Sequence, residues 1–417
     1  MYQRHINANR EVRLLETIAV ALTTGNPGDV FAATFDRREG MELVLARNGL
    51  PTSEDIAAAN ELLSLIASPT VKHSLHLFPF LMKRCGANIN KRIRKLHVSI
   101  QSTELRSDFT SALEAYVPEA DVRVEFPGST ANHLLETYGD GPFLTVWNDL
   151  IERITNMTSH GVDAEDPLSS RRKYAELVIH ADALARSRFL KSLVDECGPL
   201  KMGRKERVER AEKLKRQLGK VCQYMLDISH LIKKAKRLLP IPHRWVTDAF
   251  ADTGEGVYEL CDSPHDAVAR GLGRPLSPEN VDKLHERFPN ILSNWKKRKT
   301  VHACIHAELR IILHFNRMSA VVPLGHPIGV SKRSCLCCTL WIALHKRFWG
   351  TEWLTSGSNG KPCADWALPG GASSGVSPRV LGTVSAQLED ALDELFPGQR
   401  VSGEDYVSEL ALFGFGD

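Results

Sequence analysis

Two short motifs, each placed where a strand-like run gives way to a helix, constrain this chain more than any other feature. His306 and Glu308 follow a β-prone run and open an amphipathic helical segment. Cys335 and Cys338 lie in the same kind of position further along, between a short strand-like run and an apolar helical segment. If each helix begins at its motif, two helix N-termini face a common point. The sequence therefore predicts α/β units that bring the four side chains together.

The residue types at these positions are those that hold zinc. Cysteines three positions apart lie on one face of a helical turn, so Cys335 and Cys338 can bind one ion together, and the helix dipole and the ion favour their ionised form. With His306 they give three protein ligands, and a water-filled fourth position is typical of a catalytic zinc. A closed structural zinc site would have a fourth protein ligand instead. The sequence offers three residues for that alternative: Cys337, His302 and Cys363.

Glu308 suggests a chemical use for an open fourth position. Zinc lowers the pKa of bound water towards neutrality and supplies a hydroxide, which can attack a ring carbon that carries an exocyclic amine. A carboxylate two positions from the histidine ligand can take the water proton and pass it to the ring nitrogen and the leaving ammonia. The order H-x-E followed by C-x-x-C is the signature of zinc deaminases that act on nucleobases. The competing interpretation is a buried histidine and core cysteines that match by chance.

On these motifs the chain resembles the cytidine deaminase-like superfamily, and more closely a branch of predicted deaminases that is widespread in fungi and related to bacterial toxin deaminases. The resemblance rests on residues 301–309, 328–338, 357–361 and 366–369 and covers about 243–395. It implies a three-layer α/β/α domain in which zinc lies between the two motif helices. Ser334 departs from the pattern because it replaces the proline before the first cysteine, and a serine there can act as a helix N-cap.

The resemblance also implies a substrate pocket and a substrate class. Ser334, Asn359 and Trp366 are the pocket candidates, and an aromatic ring in this region can stack on a base, with plain packing the alternative for Trp366. The expected activity is zinc-dependent hydrolytic deamination of a nucleobase, nucleoside or nucleic acid, with Glu308 as proton shuttle. The second hypothesis is a catalytically silent zinc-binding interaction module. Glu308 favours the enzyme, because a silent module has no need of an acid there.

The first 240 residues are predicted to form a mainly helical region of unknown role that carries a small β-hairpin over 30–35 and 41–46. Within 201–239, apolar or small residues recur at alternating steps of three and four, which predicts a long heptad helix. The other positions are basic, with thirteen Lys or Arg against four Asp or Glu in 201–237. A solvated helix packed on the N-terminal bundle is one interpretation; nucleic-acid contact or self-association through 201–239 is the other.

We place the main boundary at 240–243, so that the deaminase-like domain spans 243–397 and a tail spans 398–417. The net charge of +3 is too small to require nucleic acid as a partner. The segment 1–24 has neither a signal sequence nor a membrane-spanning run, and nine cysteines do not resemble a secreted disulfide framework. We therefore expect a cytoplasmic protein without a membrane partner, and a nuclear location stays open.

Overall fold

The structure of the chain is a computed structural model. It describes residues 2–128, 131–138, 143–160, 167–194, 205–235, 240–297, 299–318, 325–370 and 375–397. The predicted tail 398–417 lies outside the described residues. The same is true of both ends of the predicted 201–239 helix, at 201–204 and 236–239.

A four-stranded mixed sheet lies between the two halves of the sequence. Its strands stand in the order β3 (His243–Trp245), β2 (Glu42–Arg47), β1 (Phe31–Asp36) and β7 (Gly329–Val330). Strand β1 pairs antiparallel with both β2 and β7, and β2 pairs parallel with β3. The predicted hairpin is present, and its two strands form the middle of the sheet.

The alternation of side chains along β1 and β2 lets this sheet serve two hydrophobic cores. Phe31 and Leu45 point into a core built from the N-terminal helices. Ala32 and Val44 point to the opposite face, into a core that contains the motif helices. Because helices cover both faces, every residue of β1 is buried. This layering confirms the predicted α/β class, with a helical N-terminal region that carries a hairpin.

The helices on one side of the sheet come from the N-terminal half. They are α1 (Tyr2–Ala21), α2 (Ser53–Ala67), α3 (Ser74–Gln101), α4 (Thr103–Ala115), α5 (Val122–Glu125), α6 (Ala131–Tyr138), α7 (Phe143–His160), α8 (Pro167–Arg186), α9 (Arg188–Val194) and α10 (Lys205–Ala235). Helix α1 packs on β1 and β7, and α10 packs on α1, α3 and α8. The heptad seam of α10, from Leu214 to Ala235, is buried in this bundle. Within the described residues the seam therefore packs against other helices of the same chain.

The remaining elements lie in the C-terminal half. The helices are α11 (Pro264–Leu272), α12 (Pro278–Arg287), α13 (Ile291–Lys297), α14 (Ala307–Arg317), α15 (Leu336–Trp349) and α16 (Ser377–Leu395). The strands β4 (Gly256–Glu259) and β5 (Thr300–Ala303) pair antiparallel, and β6 (His326–Pro327) pairs parallel with β8 (Trp353–Leu354). Helix α14 packs on β1 and β2, on the face opposite α1. None of the described helices has the length and hydropathy that crossing a bilayer would demand.

Helix α1 approaches the sheet closely at Gly329 of β7. A Cβ added there would overlap the backbone nitrogen of Glu16 and the carbonyl carbon of Leu15, so only glycine permits this approach.

The division of the chain into 1–240 and 243–397 stays a prediction. The structure adds that both parts supply strands to one sheet and that their backbones touch across it.

Candidate metal centre

His306 and Cys335 occupy equivalent positions at the starts of the two motif helices. His306 is the N-cap of α14, and Cys335 is the N-cap of α15, where its Sγ accepts a hydrogen bond of 3.4 Å from the backbone N–H of Cys338. The positive dipole ends of both helices therefore lie at His306 and Cys335. That environment suits ligands that carry negative charge, such as thiolates.

The first residues of α14 are fixed by two side chains from other parts of the chain. The carboxylate of Glu255 accepts hydrogen bonds from the backbone N–H of Ile305 at 2.9 Å and from the buried Arg310 at 3.1 Å. The side-chain oxygen of Asn48, which follows β2, accepts the N–H of Ala307 at 2.9 Å. These bonds satisfy backbone N–H groups at the start of α14. They fix the residues on either side of His306. Neither Glu255 nor Asn48 is indicated by the sequence motifs.

His306, Cys335 and Cys338 come together as one buried group. The Nδ1 atom of His306 lies 3.6 Å from Cys335 Sγ and 3.3 Å from Cys338 Sγ, and the three ligand atoms all lie within 4.8 Å of one another. A tetrahedral zinc ion with Zn–S bonds of about 2.3 Å and Zn–N bonds of about 2.0 Å separates the sulfur and nitrogen atoms by about 3.5 Å. The spacing of these side chains therefore fits a zinc ion.

Burial and mutual contact keep the two thiols protonated in the absence of a metal. Burial, and then the nearby Glu308, raise the pKa of Cys338 to about 12. A hydrogen bond with Cys337 lowers the pKa of Cys335, but contact with Cys338 and burial outweigh it and raise that pKa above its usual value. The expectation that both thiols are ionised concerns the zinc-bound protein and stays a prediction. Metal binding has to release these protons.

The carboxylate of Glu308 lies beside this group. Its side chain is 2% exposed, and it contacts the thiol of Cys338. The Oε2 atom is buried and has no hydrogen-bond partner among the described residues. A buried carboxylate oxygen without a partner is costly, so folded proteins keep such a group where a ligand completes it. Glu308 therefore has a carboxylate oxygen available for a ligand.

Asp365 faces the other edge of the His306 ring. Its Oδ1 lies 3.6 Å from Nε2 of His306, an ion-pair distance that is too long for a hydrogen bond, and accepts the S–H of Cys363 at 2.8 Å. Contact with His306 holds the pKa of Asp365 well below its usual range. Burial lowers the pKa of His306, but Asp365 and two neighbouring thiols reverse that effect and raise it. A carboxylate behind a histidine ligand orients the ring, with Nδ1 left to the metal.

The three alternatives for a fourth protein ligand stay outside the group. Cys363 groups with Asp365 and His306, apart from Cys335 and Cys338. His302 is exposed on β5. The thiol of Cys337 is hydrogen-bonded to Cys335 but does not join the group. Among the described residues the group thus offers three ligand atoms that could hold one metal ion, and three protein ligands are typical of a catalytic zinc site.

The three pocket candidates have different positions. Ser334 is 2% exposed and its hydroxyl has no partner among the described residues, while the indole of Trp366 lies beside the Cys338 thiol with a buried, unpartnered Nε1. Asn359 is exposed, and its side-chain oxygen accepts the N–H of Lys361 at 2.9 Å. The structure thus places the Trp366 ring beside Cys338, leaves the Ser334 hydroxyl buried next to Cys335 in the sequence, and uses the Asn359 side chain in a local turn.

The expectation that Ser334 caps α15 is wrong, because Cys335 is the N-cap. Ser334 instead pairs through its backbone: its N–H donates to Gly357 at 3.2 Å, and its carbonyl accepts from Asn359 at 2.9 Å. A proline in this position would lose the bond to Gly357. Pairing with the 357–359 segment therefore fixes the residue before the first cysteine, and a preset helix start is not needed.

Comparison with known proteins gives one match. A family model described as OTT_1508-like deaminase matches residues 305–370. The matched segment contains His306, Glu308, Cys335 and Cys338, and it also includes Asp365. No curated protein and no solved structure matches the chain.

Proposed function

Residues 305–370 are assigned to the deaminases of the cytidine deaminase-like kind, and from this premise we propose that the protein is a zinc-dependent hydrolytic deaminase. Its substrate is a nucleobase, a nucleoside or a nucleic acid. The observation that carries the proposal is the buried Glu308, which contacts the His306, Cys335 and Cys338 group and keeps one oxygen free.

The three ligands of the proposed zinc ion are Nδ1 of His306 and the sulfurs of Cys335 and Cys338, whose spacing suits tetrahedral coordination. When bound, zinc supplies the Lewis acidity that makes water nucleophilic near neutral pH. Asp365 keeps the His306 ring in the orientation that presents Nδ1 to the sulfurs. Burial of all three ligands excludes bulk water and strengthens electrostatic interactions inside the site.

Glu308 moves the protons of the proposed reaction. Water adds to the ring carbon that carries the exocyclic amine, and the C–N bond to that amine breaks to release ammonia. The free oxygen of Glu308 takes a proton from the water and gives it first to the ring nitrogen, and it later passes the second water proton to the leaving amine. The buried position of the carboxylate restricts this exchange to the bound substrate and water.

Two further side chains complete the proposed pocket. The unpartnered hydroxyl of Ser334 can donate to or accept from the edge of a base, and the Trp366 ring can stack on its face.

We place the enzyme in the cytoplasm, with the nucleus the alternative. Support for this comes from the described cysteines, which are free thiols and suit a reducing compartment.

The experiment that tests this function combines zinc analysis with an activity screen. The purified chain is analysed for zinc per molecule and tested for ammonia release from nucleobases, nucleosides, and DNA and RNA oligonucleotides. We expect Glu308→Gln to retain zinc and to lower turnover by a factor of about 100 to 10,000, because the proton shuttle is lost. Cys338→Ser should lose the metal. Glu286→Gln, at an exposed position of α12, serves as the matched control and should leave zinc content and turnover unchanged.

Three results would count against the proposal. Undiminished turnover in Glu308→Gln would remove that carboxylate from the mechanism. Full zinc content in Cys338→Ser would contradict the ligand set. Zinc bound by a wild-type protein that releases no ammonia from any of these substrates would favour the silent zinc-binding module.

A further inference from the structure

A second polar site lies between helices α1 and α10, where a cleft of about 580 Å³ opens. On α1 the cleft is lined by residues at positions 10, 13, 14, 16 and 17, and on α10 by residues at positions 227, 230, 231 and 234. Apart from position 16, both sets follow the i, i+3, i+4, i+7 spacing of one helix face. The two helices are in contact, so two matched faces enclose the cleft. None of the lining residues belongs to the metal group.

Unpaired basic side chains surround the mouth of this cleft. Arg10 and Arg13 extend from α1 and Lys234 from α10, and all three are exposed. Within the described part of the chain none of the three forms an ion pair with an acidic side chain. Arg186, at the end of α8, also lines the cleft and is held by Asp182 at 2.8 Å. Four permanent positive charges from three helices therefore converge on one opening.

Two carboxyl groups, those of Glu16 and Asp227, also line the cleft. Burial raises the pKa of each above its usual value, which favours the neutral form. The floor is formed by the buried Thr17 and Leu231. The result is a cleft with four basic side chains and two half-buried carboxyl groups in its lining.

We propose that this cleft binds a phosphate group. Guanidinium and ammonium groups are the side chains that bind phosphate oxygens most strongly, and the cleft has the volume of an ordinary small-molecule site. The phosphate belongs either to a small phosphorylated molecule or to a nucleic-acid backbone. This binding site is independent of the proposed deaminase function.

The cleft adjoins the segment that supports the ligand-bearing turn. Glu16 interacts with Ser356, which lowers the pKa of Glu16, and the carbonyl of the next residue, Gly357, accepts the backbone N–H of Ser334. Ser334 directly precedes the metal ligand Cys335. A phosphate in the cleft therefore lies one side-chain contact away from the segment that positions the turn.

The test uses the full chain, with inorganic pyrophosphate and a single-stranded oligonucleotide without terminal phosphates as probes in separate calorimetric titrations. We expect at least one probe to bind saturably. The double variant Arg13→Gln/Lys234→Gln should weaken that binding about tenfold or more, because two charge-assisted contacts are lost. The matched control is Lys213→Gln/Lys215→Gln, which removes the same charge from exposed positions of α10 outside the cleft. Its binding should equal that of the wild type.

The two probes distinguish the sources of the phosphate. Pyrophosphate binding that exceeds oligonucleotide binding supports a small phosphorylated ligand. Tighter oligonucleotide binding that falls steeply with salt, and that needs Arg13 and Lys234, supports a nucleic-acid backbone. Equal weakening in the cleft variant and the control would show non-specific charge attraction and would overturn the proposal. Absence of binding by both probes would overturn it as well. Zinc content and thermal unfolding of both variants establish that the fold and the metal centre are intact.

Discussion

At the scale of single residues, Asp365 shows how one carboxylate can prepare a metal ligand. Its Oδ1 lies 3.6 Å from Nε2 of His306, on the ring edge opposite the two sulfurs. The negative charge favours a proton on Nε2 and raises the pKa of the ring, so metal binding has to displace the proton on Nδ1. This arrangement matches the carboxylate–histidine pairs that support many zinc sites.

We predict that Asp365→Asn lowers zinc affinity about 10-fold to 100-fold while the fold is retained. Asparagine keeps the shape of the side chain but loses the charge that orients His306 and holds its proton. Competition with a chromophoric chelator measures the affinity directly and does not depend on activity. Asp282→Asn, at an exposed position of α12, is the control. Equal zinc affinity in Asp365→Asn and the wild type would show that Asp365 does not orient the ligand.

The contrast between Asp365 and the candidate metal ligands shows what the sequence could predict at this scale. His306 and Glu308 share one helix start, and Cys335 and Cys338 share another, so local spacing suffices to propose that they act together. Asp365 reaches the site because its backbone carbonyl accepts the N–H of Cys304 at 2.9 Å. This pairing joins residues 61 positions apart in the sequence. No sequence motif predicts this pairing, and a single aspartate in a loop does not by itself indicate a role at a metal site.

At the scale of secondary-structure elements, the contact between α1 and β7 depends on a single glycine. We predict that Gly329→Ala destabilises the protein by about 1–3 kcal/mol, because a Cβ there overlaps the backbone of α1 at Leu15 and Glu16 and one element has to shift. The free energy of unfolding, from urea titration, measures the effect.

Gly219 provides the matched control for that substitution. It lies on an exposed face of α10, and a Cβ added there meets no atom within 4 Å. Gly219→Ala should therefore be neutral or should stabilise the protein by up to about 1 kcal/mol, through improved helix propensity. If the two alanine variants have the same stability, the close packing of α1 on β7 is not a significant constraint.

The central sheet shows the limit of prediction at this scale. Alternating apolar residues and a polar turn predict the β1–β2 hairpin correctly, because its pairing is local. The outer strands β3 and β7 have three and two residues, which is too short for a periodic pattern. Their pairing with the hairpin joins parts of the chain that are about 200 and 300 residues apart. The sequence could therefore give the hairpin but not its place in the sheet.

At the scale of the whole molecule, the two halves of the chain share structure at the metal centre. Helix α14, which follows His306, packs on β1 and β2, and Asn48 holds the N–H of Ala307. Ala32 and Val44 from the hairpin contribute to the core that surrounds the motif helices. A boundary near 240–243 is where the composition changes, but the contacts that support the centre cross it.

We therefore predict that a fragment limited to residues 243–397 does not form the metal centre. Without β1 and β2 the fragment loses the sheet partners of β3 and β7, and the apolar face of α14 loses its cover, so the fragment should aggregate or remain loosely packed. A fragment of residues 9–397, which keeps the hairpin and most of α1, is the control and should bind zinc and unfold cooperatively. Near-ultraviolet circular dichroism and zinc per chain distinguish the two fragments. Stoichiometric zinc and a cooperative transition in 243–397 would show that this segment is an independent domain, and that the shared sheet is a packing contact between two units that fold separately.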